Sequence, residues 1–374
     1  MKNYVVIFGG DSVEHDVSIL TGLHAARNVS AETKVNLVYI TRNNRMVTSG
    51  AGGLLSKINS YLGECKAERG VKCFFSCGVL YKRGCLCVRK VCSVDAVINC
   101  CHGGAGENGQ LAAMLALNNI PVTSCDCVSA ALIQSKSRTR EVLTKHGFLQ
   151  PKYTVVTKHQ DMSDVLSEID FPVIVKPDTL GSSIGVSVAR NGGELKNALE
   201  LVFELDNKAV VEQFFENVTE INCSAMLARD KIWTSKCELV NKSDEGEREI
   251  FDYNSKYMTN SGFIKKGNED SDDKEIEDEE KIQEITQKAY ELFDARGIIR
   301  ADFLVVKNGG EVEIYLNEMN SVPGFLSYHL WQKMGLPYGL VIDMMAEQAR
   351  VDAQKVLKTA FRSEILTKNR SLAE

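Results

Sequence analysis

The sequence predicts an α/β protein of mixed α+β character, in which an N-terminal domain built on a parallel sheet precedes further domains. Short β-branched runs alternate with helically spaced apolar residues at the start of the chain, which is typical of strands joined by crossover helices. Glycine-rich turns follow two of the predicted strands. The 374 residues, 44% of them hydrophobic, are enough for two or three domains with their own cores.

The first predicted strand is the apolar run from Val5 to Phe8, which we expect to be buried. Val13, Val17 and Leu20 then recur at helical spacing, so a helix is predicted to follow. The Gly9-Gly10 turn therefore joins a strand end to a helix start.

A second strand-to-helix junction follows the apolar run from Val97 to Asn99. The glycine-rich residues 102–109 lead into a predicted helix that contains Leu111, Met114 and Leu115. Both glycine-rich turns thus lie at strand C-termini, the edge at which open α/β sheets bind ligands.

A change of pattern near residue 125 indicates a second domain. A helix is predicted from about Ser129 to His146, followed by a strand over 171–177 and a small-residue loop over 178–185. A third region contains an irregular polar stretch, a helix near 274–296 and two late strands. The predicted units are an N-terminal α/β domain (1–125), a central domain (126–211) and a C-terminal domain (212–374).

Composition argues against nucleic acid and anionic membrane surfaces as partners. The net charge is −6 with 25% charged residues, so there is no basic excess to attract polyanions. The apolar run near Tyr4 is too short for a secretory signal, and no apolar segment approaches the length of a bilayer crossing. We therefore expect a cytoplasmic protein without membrane insertion.

The acidic run from Glu269 to Glu280 is the strongest charge block in the sequence. It has two interpretations, an interaction tail or the solvated N-terminus of a helix. The second is favoured because acidic residues in a first turn are stabilised by the helix dipole, typically by about 0.3–1 kcal/mol each.

Ten of the 12 cysteines lie between Cys65 and Cys127, which raises a metal or disulfide interpretation. Their spacing argues against a structural zinc site, because no pair of C-x-x-C elements is present. In a cytosolic chain we expect most of them to be reduced and to act as small hydrophobic residues in strands.

Two late segments contain the most specific chemical signal, 300–303 and 317–324, both predicted as strands. Alternate residues of a strand face the same side, so Arg300 with Asp302 is expected opposite Glu318 with Asn320. Two carboxylates and an amide oxygen form a hard oxygen site that suits Mg²⁺. For either segment alone, a surface salt-bridge ladder is the preferred alternative.

The loop from Gly181 to Gly185 offers backbone N–H groups and two hydroxyls without bulky side chains, as a cover over a triphosphate requires. It matches neither the P-loop nor the dinucleotide fingerprint. Lys176 and Lys136 add two cations able to neutralise phosphate oxygens, although either lysine alone is more often a solvated surface residue.

The order of these motifs resembles the D-alanyl-D-alanine ligase family, and the resemblance covers nearly the whole chain. The matching segments are Gly9 to Ser18, His102 to Gly109, Phe171 to Gly185, Tyr253 to Tyr257, Arg300 to Phe303, and Asn317 to Gly324. Six motifs in order are far more specific than any one of them. The resemblance implies a three-domain ATP-grasp fold, with ATP between the central and C-terminal domains and D-alanine against the N-terminal domain.

The resemblance also implies a role for each matching residue. ATP binding is implied for Lys136, Lys176, Ser182, Ser183, Glu212 and Glu220. Two Mg²⁺ ions, or Mn²⁺, are implied at Asp302, Glu318 and Asn320. Catalytic roles are implied for Glu14, Ser182, Tyr257, Arg300 and Gly324. Substrate contacts are implied for Glu14, His102, Lys256, His329 and Leu330.

Within that set, Glu14 with His102 nearby is implied to receive the ammonium of the first amino acid. Ser182 and Tyr257 are implied to close a hydrogen-bonded link across the site, and the irregular stretch that contains Tyr257 to act as a lid. Lys256 is implied to hold the second substrate.

The implied reaction forms a D-alanyl-D-alanine dipeptide for peptidoglycan synthesis. The γ-phosphoryl group of ATP passes to the carboxylate of the first substrate, and the amine of the second substrate then displaces phosphate. Arg300 and the backbone N–H of Gly324 are implied to stabilise the tetrahedral oxyanion. The enzyme needs no covalent nucleophile, so the cysteines need not take part.

His329 departs from the family, which commonly has a hydroxyl there to hold the carboxylate of the acceptor. The acceptor could therefore be D-alanine, or D-serine, D-lactate or another amino acid. His329 could equally be a packing residue beside Tyr328 and Trp331. A catalytically idle nucleotide-binding homologue is the alternative from another class, and a homodimer is a further expectation.

Overall fold

The computed structural model describes residues 1–48, 70–84, 86–240 and 276–357, which form three sheets and the helices around them. None of the helices in these ranges combines the length and the apolar character that a bilayer crossing requires. The predicted contacts of Lys256 and Tyr257, the lid, and most of the acidic run lie outside the described residues.

The N-terminal sheet has seven strands in the order β6-β5-β4-β3-β2-β1-β7. Only β1 with its neighbours β2 and β7 is parallel, and the other pairs are antiparallel. The predicted parallel sheet is therefore confirmed for β2, β1 and β7. Strands β3 to β6 extend it as an antiparallel meander. The strands are β1 (Lys2–Gly9), β2 (Thr33–Ile40), β3 (Met46–Thr48), β4 (Val71–Ser76), β5 (Val79–Arg83), β6 (Val88–Ser93) and β7 (Ala96–Asn99).

Helix α1 (His15–Asn28) crosses from β1 to β2, as the spacing of apolar residues predicted. Val17 is buried, but Val13 is 47% exposed and Leu20 is 37% exposed, so these two do not share its buried face. The reason is that the helix begins at His15, after Val13, and that Leu20 lies one turn beyond the exposed Asp16 on the solvent side.

Two further helices pack with the N-terminal sheet, α2 (Gly104–Glu107) and α3 (Gln110–Leu117). Leu111 and Leu115 of α3 are buried, as predicted. The turn that precedes α3 follows β7 directly, so both glycine-rich turns do lie at the C-terminal ends of adjacent parallel strands.

The central region contains an antiparallel sheet in the order β10-β9-β11-β8. Its strands and helices are α4 (Cys127–Gln134), α5 (Lys136–Lys145), β8 (Tyr153–Thr157), α6 (Met162–Glu168), β9 (Val173–Pro177), β10 (Ser187–Ala189), α7 (Gly192–Leu205) and β11 (Lys208–Gln213).

The single helix predicted from Ser129 to His146 is wrong, because two helices, α4 and α5, meet at Ser135. Ser135 is extended, and its hydroxyl accepts a hydrogen bond from Arg138 N as the N-cap of α5. Asp178 also accepts hydrogen bonds from Ser135 Oγ (2.8 Å) and Ser137 N (2.7 Å). Serine is a strong N-cap, and here the cap starts a new helix inside an otherwise helical pattern.

The C-terminal region is built on a five-stranded antiparallel sheet, β13-β12-β15-β16 with β14 paired to β12. Two Glu residues open α8, which agrees with the helix interpretation for the described end of the acidic run. The elements are β12 (Val218–Ala228), β13 (Lys231–Thr234), β14 (Glu238–Leu239), α8 (Glu279–Leu292), β15 (Ile298–Asn308), β16 (Glu311–Asn320), a 3-10 turn (Gly324–Ser327), α9 (Tyr328–Gln332) and α10 (Tyr338–Leu357).

The cores do not follow the predicted boundaries closely. Ile133 of α4 and Leu143 of α5 pack with the C-terminal sheet, although they were assigned to the central unit. The boundary between 211 and 212 falls inside β11, whose residues pair with β8 and β9 up to Gln213. The domain boundaries at 125 and 211 stay a prediction.

All ten cysteines in the described ranges are free thiols, and Cys65 and Cys85 lie outside those ranges. Seven of the ten are buried, which agrees with their interpretation as small hydrophobic residues. Only Cys73, Cys92 and Cys223 are in strands, fewer than predicted.

Candidate active site

The C-terminal ends of β1 and β7 form one wall of the candidate site. Ser18 of α1 fastens the two ends together, because its hydroxyl accepts from Gly9 N (2.7 Å) and donates to Cys100 O (2.8 Å). The two glycine-rich turns are thereby held side by side at the strand edge where a ligand is expected.

Glu14 lies at the start of α1, and its carboxylate accepts a hydrogen bond from Ser182 Oγ in the small-residue loop. The contact joins the N-terminal turn to the loop of the central region. Two glycines give this carboxylate room: a Cβ on Gly103 would lie 3.0 Å from Glu14 Oε2, and a Cβ on Gly181 would lie 2.8 Å from it.

The small-residue loop follows β9 and has an uncommon backbone. Ser182 and Ser183 have φ values of 54° and 57°, in the left-handed region that costs non-glycine residues free energy. Such conformations collect at ligand sites, where surrounding contacts hold them. One such contact is Lys136 Nζ, which donates to Leu180 O at 2.5 Å.

Both predicted phosphate-binding lysines point toward β16. Lys136 Nζ is 3.9 Å from the Glu318 carboxylate. Lys176 is buried, forms an ion pair with Glu212 and donates to Asn317 Oδ1 at 3.2 Å. Burial lowers the pKa of Lys176, and the charge of Glu212 opposes that shift.

The two glutamates assigned to the nucleoside are in different environments. Glu212 is 2% exposed, and its carboxylate is taken up by two cations, Lys176 and Arg140. Glu220 lies partly buried on β12, and its backbone oxygen accepts from Val240 N at 2.9 Å. Contacts of either residue with adenine or ribose stay a prediction.

The acidic cluster predicted on β15 and β16 does come together. Asp302 lies opposite Glu318 in the strand pairing, and Arg300 lies opposite Asn320. Arg300 donates to both oxygens of Asp302, at 2.6 and 2.7 Å, and Asn320 Nδ2 donates to Asp302 at 3.1 Å. The same residues thus form both of the arrangements predicted as alternatives, the salt-bridge ladder and the oxygen site.

A β-bulge modifies the alternation on β16. Asp302 pairs with Glu318 but the next residue, Phe303, pairs with Leu316, so Asn317 has no partner across the strands. A bulge re-aims a side chain. It lets Asn317 contact Lys176 while its neighbour Glu318 faces Lys136.

The donors of this cluster fit a divalent cation of the Mg²⁺ type, since Asp302 and Glu318 supply carboxylates and Asn320 an amide oxygen once its amide is turned. Within the described residues, no group of three or more His, Cys, Asp or Glu side chains is placed to hold a metal ion. Asp302 and Glu318 therefore need the amide oxygen of Asn320 to make three ligands.

His102 is buried and uses both ring nitrogens within the protein. Nδ1 lies 2.7 Å from Val322 O, and Nε2 lies 2.8 Å from Thr21 Oγ1, which also accepts from Phe325 N at 3.2 Å. Burial lowers the pKa of His102, which favours the neutral ring with its proton on Nδ1. His102 thus holds the 322–325 turn against the N-terminal wall and offers no free ring nitrogen to a substrate ammonium.

Glu107 closes the same network from the other side. Its carboxylate accepts from Gly103 N at 2.8 Å and from Val322 N at 3.1 Å. Burial, and then the nearby charge of Glu14, raise the pKa of Glu107 to about 7, although the backbone hydrogen bonds oppose the shift. Two carboxylates therefore share the edge of the site, and one of them titrates near neutrality.

The turn after β16 presents Gly324, which was assigned a backbone role. A Cβ there would meet nothing within 4 Å, so the residue borders open space. The next three residues, 325–327, all have left-handed φ values between 50° and 53°. This strained turn is held by the hydrogen bond from Phe325 N to Thr21, and the backbone role of Gly324 stays a prediction.

His329 of α9 forms an ion pair with Glu238 of β14, with Nε2 and Oε2 2.9 Å apart. Burial raises the pKa of Glu238, but the hydrogen bond and charge of His329 outweigh it and hold the pKa below its usual value. The neighbouring Leu330 is fully buried, and its contact with the substrate stays a prediction.

Four residues of this site were missed in the sequence. Glu107 lies inside the quoted 102–109 motif, and Arg140 follows Lys136 by one helical turn, so both had a local signal. Asn317 opens the quoted 317–324 motif, but only the bulge aims its side chain at Lys176. Glu238 had no local signal, because a contact with the distant His329 brings it in.

Profiles of known protein families match most of the chain. The profile described as "D-ala D-ala ligase N-terminus" matches residues 3–125, and "D-ala D-ala ligase C-terminus" matches residues 142–347. Similar proteins include the D-alanine–D-alanine ligase of Thermosipho africanus, 32% identical over 92% of both chains. That of Campylobacter jejuni is 29% identical over 96% of both chains.

Solved structures of this family share the fold, so the predicted three-domain ATP-grasp class is confirmed. The D-alanine–D-alanine ligase of Helicobacter pylori superposes with a TM-score of 0.74 at 26% identity, over 93% of this chain and 98% of that one. The VanG D-Ala:D-Ser ligase of Enterococcus faecalis superposes with a TM-score of 0.76 at 25% identity, over 93% and 99%. This chain belongs to the D-alanine–D-alanine ligase family.

Proposed function

We propose that the chain is an ATP-dependent ligase that joins two D-alanine molecules through an acyl phosphate, for peptidoglycan precursor synthesis. The contact between Glu14 and Ser182 is the observation that carries the proposal. It sets a carboxylate suited to an amino-acid ammonium beside a loop suited to a triphosphate. The carboxylate of a bound amino acid is thereby brought within reach of the γ-phosphoryl group.

Lys136, Lys176 and the loop of Ser182 and Ser183 are proposed to bind the phosphates of ATP. The two ammonium groups lie toward β16, and Lys136 Nζ also donates to Leu180 O at the start of the loop. Glu212 and Glu220 are proposed to border the nucleoside. Charge-assisted hydrogen bonds of this kind are stronger than neutral ones, which suits a ligand of high negative charge.

Asp302, Glu318 and Asn320 are proposed to hold Mg²⁺, two ions in the complete site, with Mn²⁺ as a substitute. Such an ion neutralises phosphate oxygens as charge moves to the leaving group. Arg300 now holds both oxygens of Asp302, so the guanidinium has to share that carboxylate when cations bind.

The residues of the chain then divide the work of the reaction. Glu14 orients the ammonium of the first amino acid, so that one carboxylate oxygen bonds to the γ-phosphorus and ADP leaves. The amine of the second amino acid, having lost a proton, bonds to the acyl carbon, and the C–O bond to phosphate breaks. Arg300 and the Gly324 N–H stabilise the oxyanion between these events. Lys256 is proposed to hold the second amino acid, and Tyr257 to close over the site.

D-Serine as the acceptor is a second candidate, and the ion pair of His329 with Glu238 favours it. The pair offers polar groups where the family commonly has a hydroxyl, and they could hydrogen-bond an extra hydroxyl on the acceptor. A relative at 25% identity is titled a D-Ala:D-Ser ligase. A site that hydrogen-bonds a substrate hydroxyl discriminates strongly against the analogue without it.

ATP-dependent phosphate release tests the proposal, with D-alanine as donor and a panel of D-alanine, D-serine, D-lactate and L-alanine as acceptors. Product masses identify the dipeptide or depsipeptide. We expect release only with D-alanine present and the largest kcat/KM for D-alanine as acceptor. ATP binding without any turnover would instead mark a catalytically idle homologue.

A cytoplasmic location and a homodimer complete the proposal. Substrate supply supports the first, because ATP is a cytoplasmic metabolite. Sedimentation equilibrium at several protein concentrations tests the second, and a single species of 41.4 kDa would contradict it.

A further inference from the structure

A buried cluster of charges lies behind the lysine that is proposed to bind ATP. Glu212 sits at its centre, and its carboxylate forms ion pairs with both Arg140 and Lys176. Asn317 Oδ1 accepts from the same two side chains, each at 3.2 Å. The four side chains form a closed ring in which Arg140 is 1% exposed and Glu212 is 2% exposed.

Arg140 makes this ring from a third structural element. It lies on α5, whereas Lys176 is on β9 and Asn317 is on the bulge of β16. Its guanidinium also donates to Gln150 Oε1 at 2.9 Å and lies 5.8 Å from the centre of the Tyr153 ring. The planar fork of arginine suits such a multiply bonded buried position.

Charge decides what this arrangement can do. Arg140 and Lys176 contribute two positive charges and Glu212 one negative charge, so the ring has a net charge of +1. If Arg140 were neutral, the charges of Lys176 and Glu212 would cancel, and the lysine would have little attraction left for an anion. In a desolvated cluster this difference is large, because water does not screen it.

We propose that Arg140 is a positioning residue that neutralises Glu212 and thereby leaves the charge of Lys176 free for a phosphate of ATP. Asn317 fixes the angle of the lysine by holding both cations. The inference rests on ATP binding in the proposed function, and it assigns Arg140 no contact with ATP itself.

The test is the binding of ATP and of adenosine, each measured by calorimetry on the full chain in the absence of D-alanine. For Arg140→Gln we expect ATP to bind about 10- to 100-fold more weakly, the factor for one charge-assisted hydrogen bond. Adenosine affinity should fall by a smaller factor, because Glu212, the partner of Arg140, borders the nucleoside in the proposed function. Arg138→Gln is the matched control, because Arg138 lies on the same helix, is exposed and pairs only at the surface with Glu141. It should change neither affinity.

Arg140→Lys separates the charge from the fold of the protein. It keeps the positive charge beside Glu212, so we expect it to retain most of the ATP affinity that Arg140→Gln loses. Thermal unfolding of each variant confirms that it is folded. If Arg140→Gln does not fold, Arg140→Lys is compared with wild type alone. A loss of ATP affinity of about 10- to 100-fold in Arg140→Lys would then overturn the proposal.

Two other results overturn it. Equal losses of ATP and adenosine affinity in Arg140→Gln would show a structural role, and unchanged ATP affinity would show no role. Wild-type protein that binds ATP but forms no dipeptide would refute the ligase proposal and leave the Arg140 inference standing. Wild-type protein that does not bind ATP would refute both.

Discussion

The candidate site has two sides, one proposed to bind ATP and one proposed to bind the amino acids. They stabilise buried polar groups in different ways. On the ATP side, Glu212 is compensated by the full charges of Arg140 and Lys176, all three on regular helix or strand. On the amino-acid side, His102 and Glu107 are held by backbone groups of turns and by the hydroxyl of Thr21 on α1, without a partner of opposite charge in hydrogen-bond contact.

The difference appears in how the groups titrate. Hydrogen bonds from neutral donors offset burial less than a paired charge does, so the pKa of Glu107 rises to about 7. His102 shifts the other way for the same reason, because burial disfavours its charged form. We infer that the amino-acid side is sensitive to pH near neutrality.

Removing a charge from the ATP side should have the largest effect. For Glu318→Gln we expect kcat to fall at least about 100-fold with the fold intact, because an anionic ligand of the proposed cation site is lost. Steady-state kinetics over a Mg²⁺ titration measures it. Glu311→Gln, at the exposed end of the same strand, is the control. Wild-type turnover by Glu318→Gln at low Mg²⁺ would contradict the metal assignment.

Arg300→Lys should have the next largest effect. The lysine keeps the charge but loses the planar fork, so we expect kcat to fall about 10- to 100-fold with little change in the KM for ATP. Arg296→Lys serves as control, since Arg296 is partly exposed and 3.4 Å from Asp126, away from the cluster. A change confined to the KM for ATP would refute the oxyanion role.

Glu107→Gln tests the pH sensitivity of the amino-acid side through stability. The folded pKa of Glu107 is raised, so its stabilising contribution is complete below its unfolded pKa and is lost as pH rises to about 7. The loss proceeds at up to about 1.4 kcal/mol per pH unit, and glutamine does not undergo it.

Thermal midpoints of wild type and Glu107→Gln at pH 5 to 8 measure the effect. Wild type should lose stability relative to the variant between pH 5 and 7 and run parallel to it above. His102 is present in both proteins, so its own titration cancels. A constant difference across the range would mean that Glu107 is ionised throughout.

His329→Ser should have the smallest effect and probes the acceptor end. If His329 contacts the acceptor, we expect the ratio of acceptor KM values for D-serine and D-alanine to change about 3- to 10-fold, with ATP KM unaffected. Glu238→Gln should shift the ratio in the same direction, because it removes the partner of His329. Identical ratios in all three proteins would leave His329 as a packing residue and D-alanine as the acceptor.

The predictable part of the site is what regular geometry determines. Alternation along two strands was enough to predict that Asp302 lies near Glu318. Parallel pairing was enough to predict that the two glycine-rich turns lie side by side. The bulge at Asn317 could not be predicted, since no residue type in the segment marks it. Nor could the break at Ser135 be predicted, because serine occurs inside helices as well as at caps, and part of what holds this serine is a contact with the distant Asp178.

Contacts between residues distant in the sequence could not be predicted either. Arg140 was not singled out from the sequence, and only the approach of β11 and β16 gives it Glu212 and Asn317. The pKa of Glu107 depends on burial and on Glu14, which are properties of the folded chain. Residue type predicted which groups could react, and tertiary contacts decide their charge.

The central claim is that this site activates a carboxylate by phosphorylation. The most direct test follows an oxygen atom from the substrate into the released phosphate. D-Alanine labelled with ¹⁸O in its carboxylate is incubated with the protein, ATP and Mg²⁺, and the inorganic phosphate is analysed by mass spectrometry. An acyl phosphate places one substrate oxygen in every phosphate released, so we expect singly labelled phosphate in step with dipeptide. Unlabelled phosphate alongside dipeptide would contradict the acyl-phosphate route.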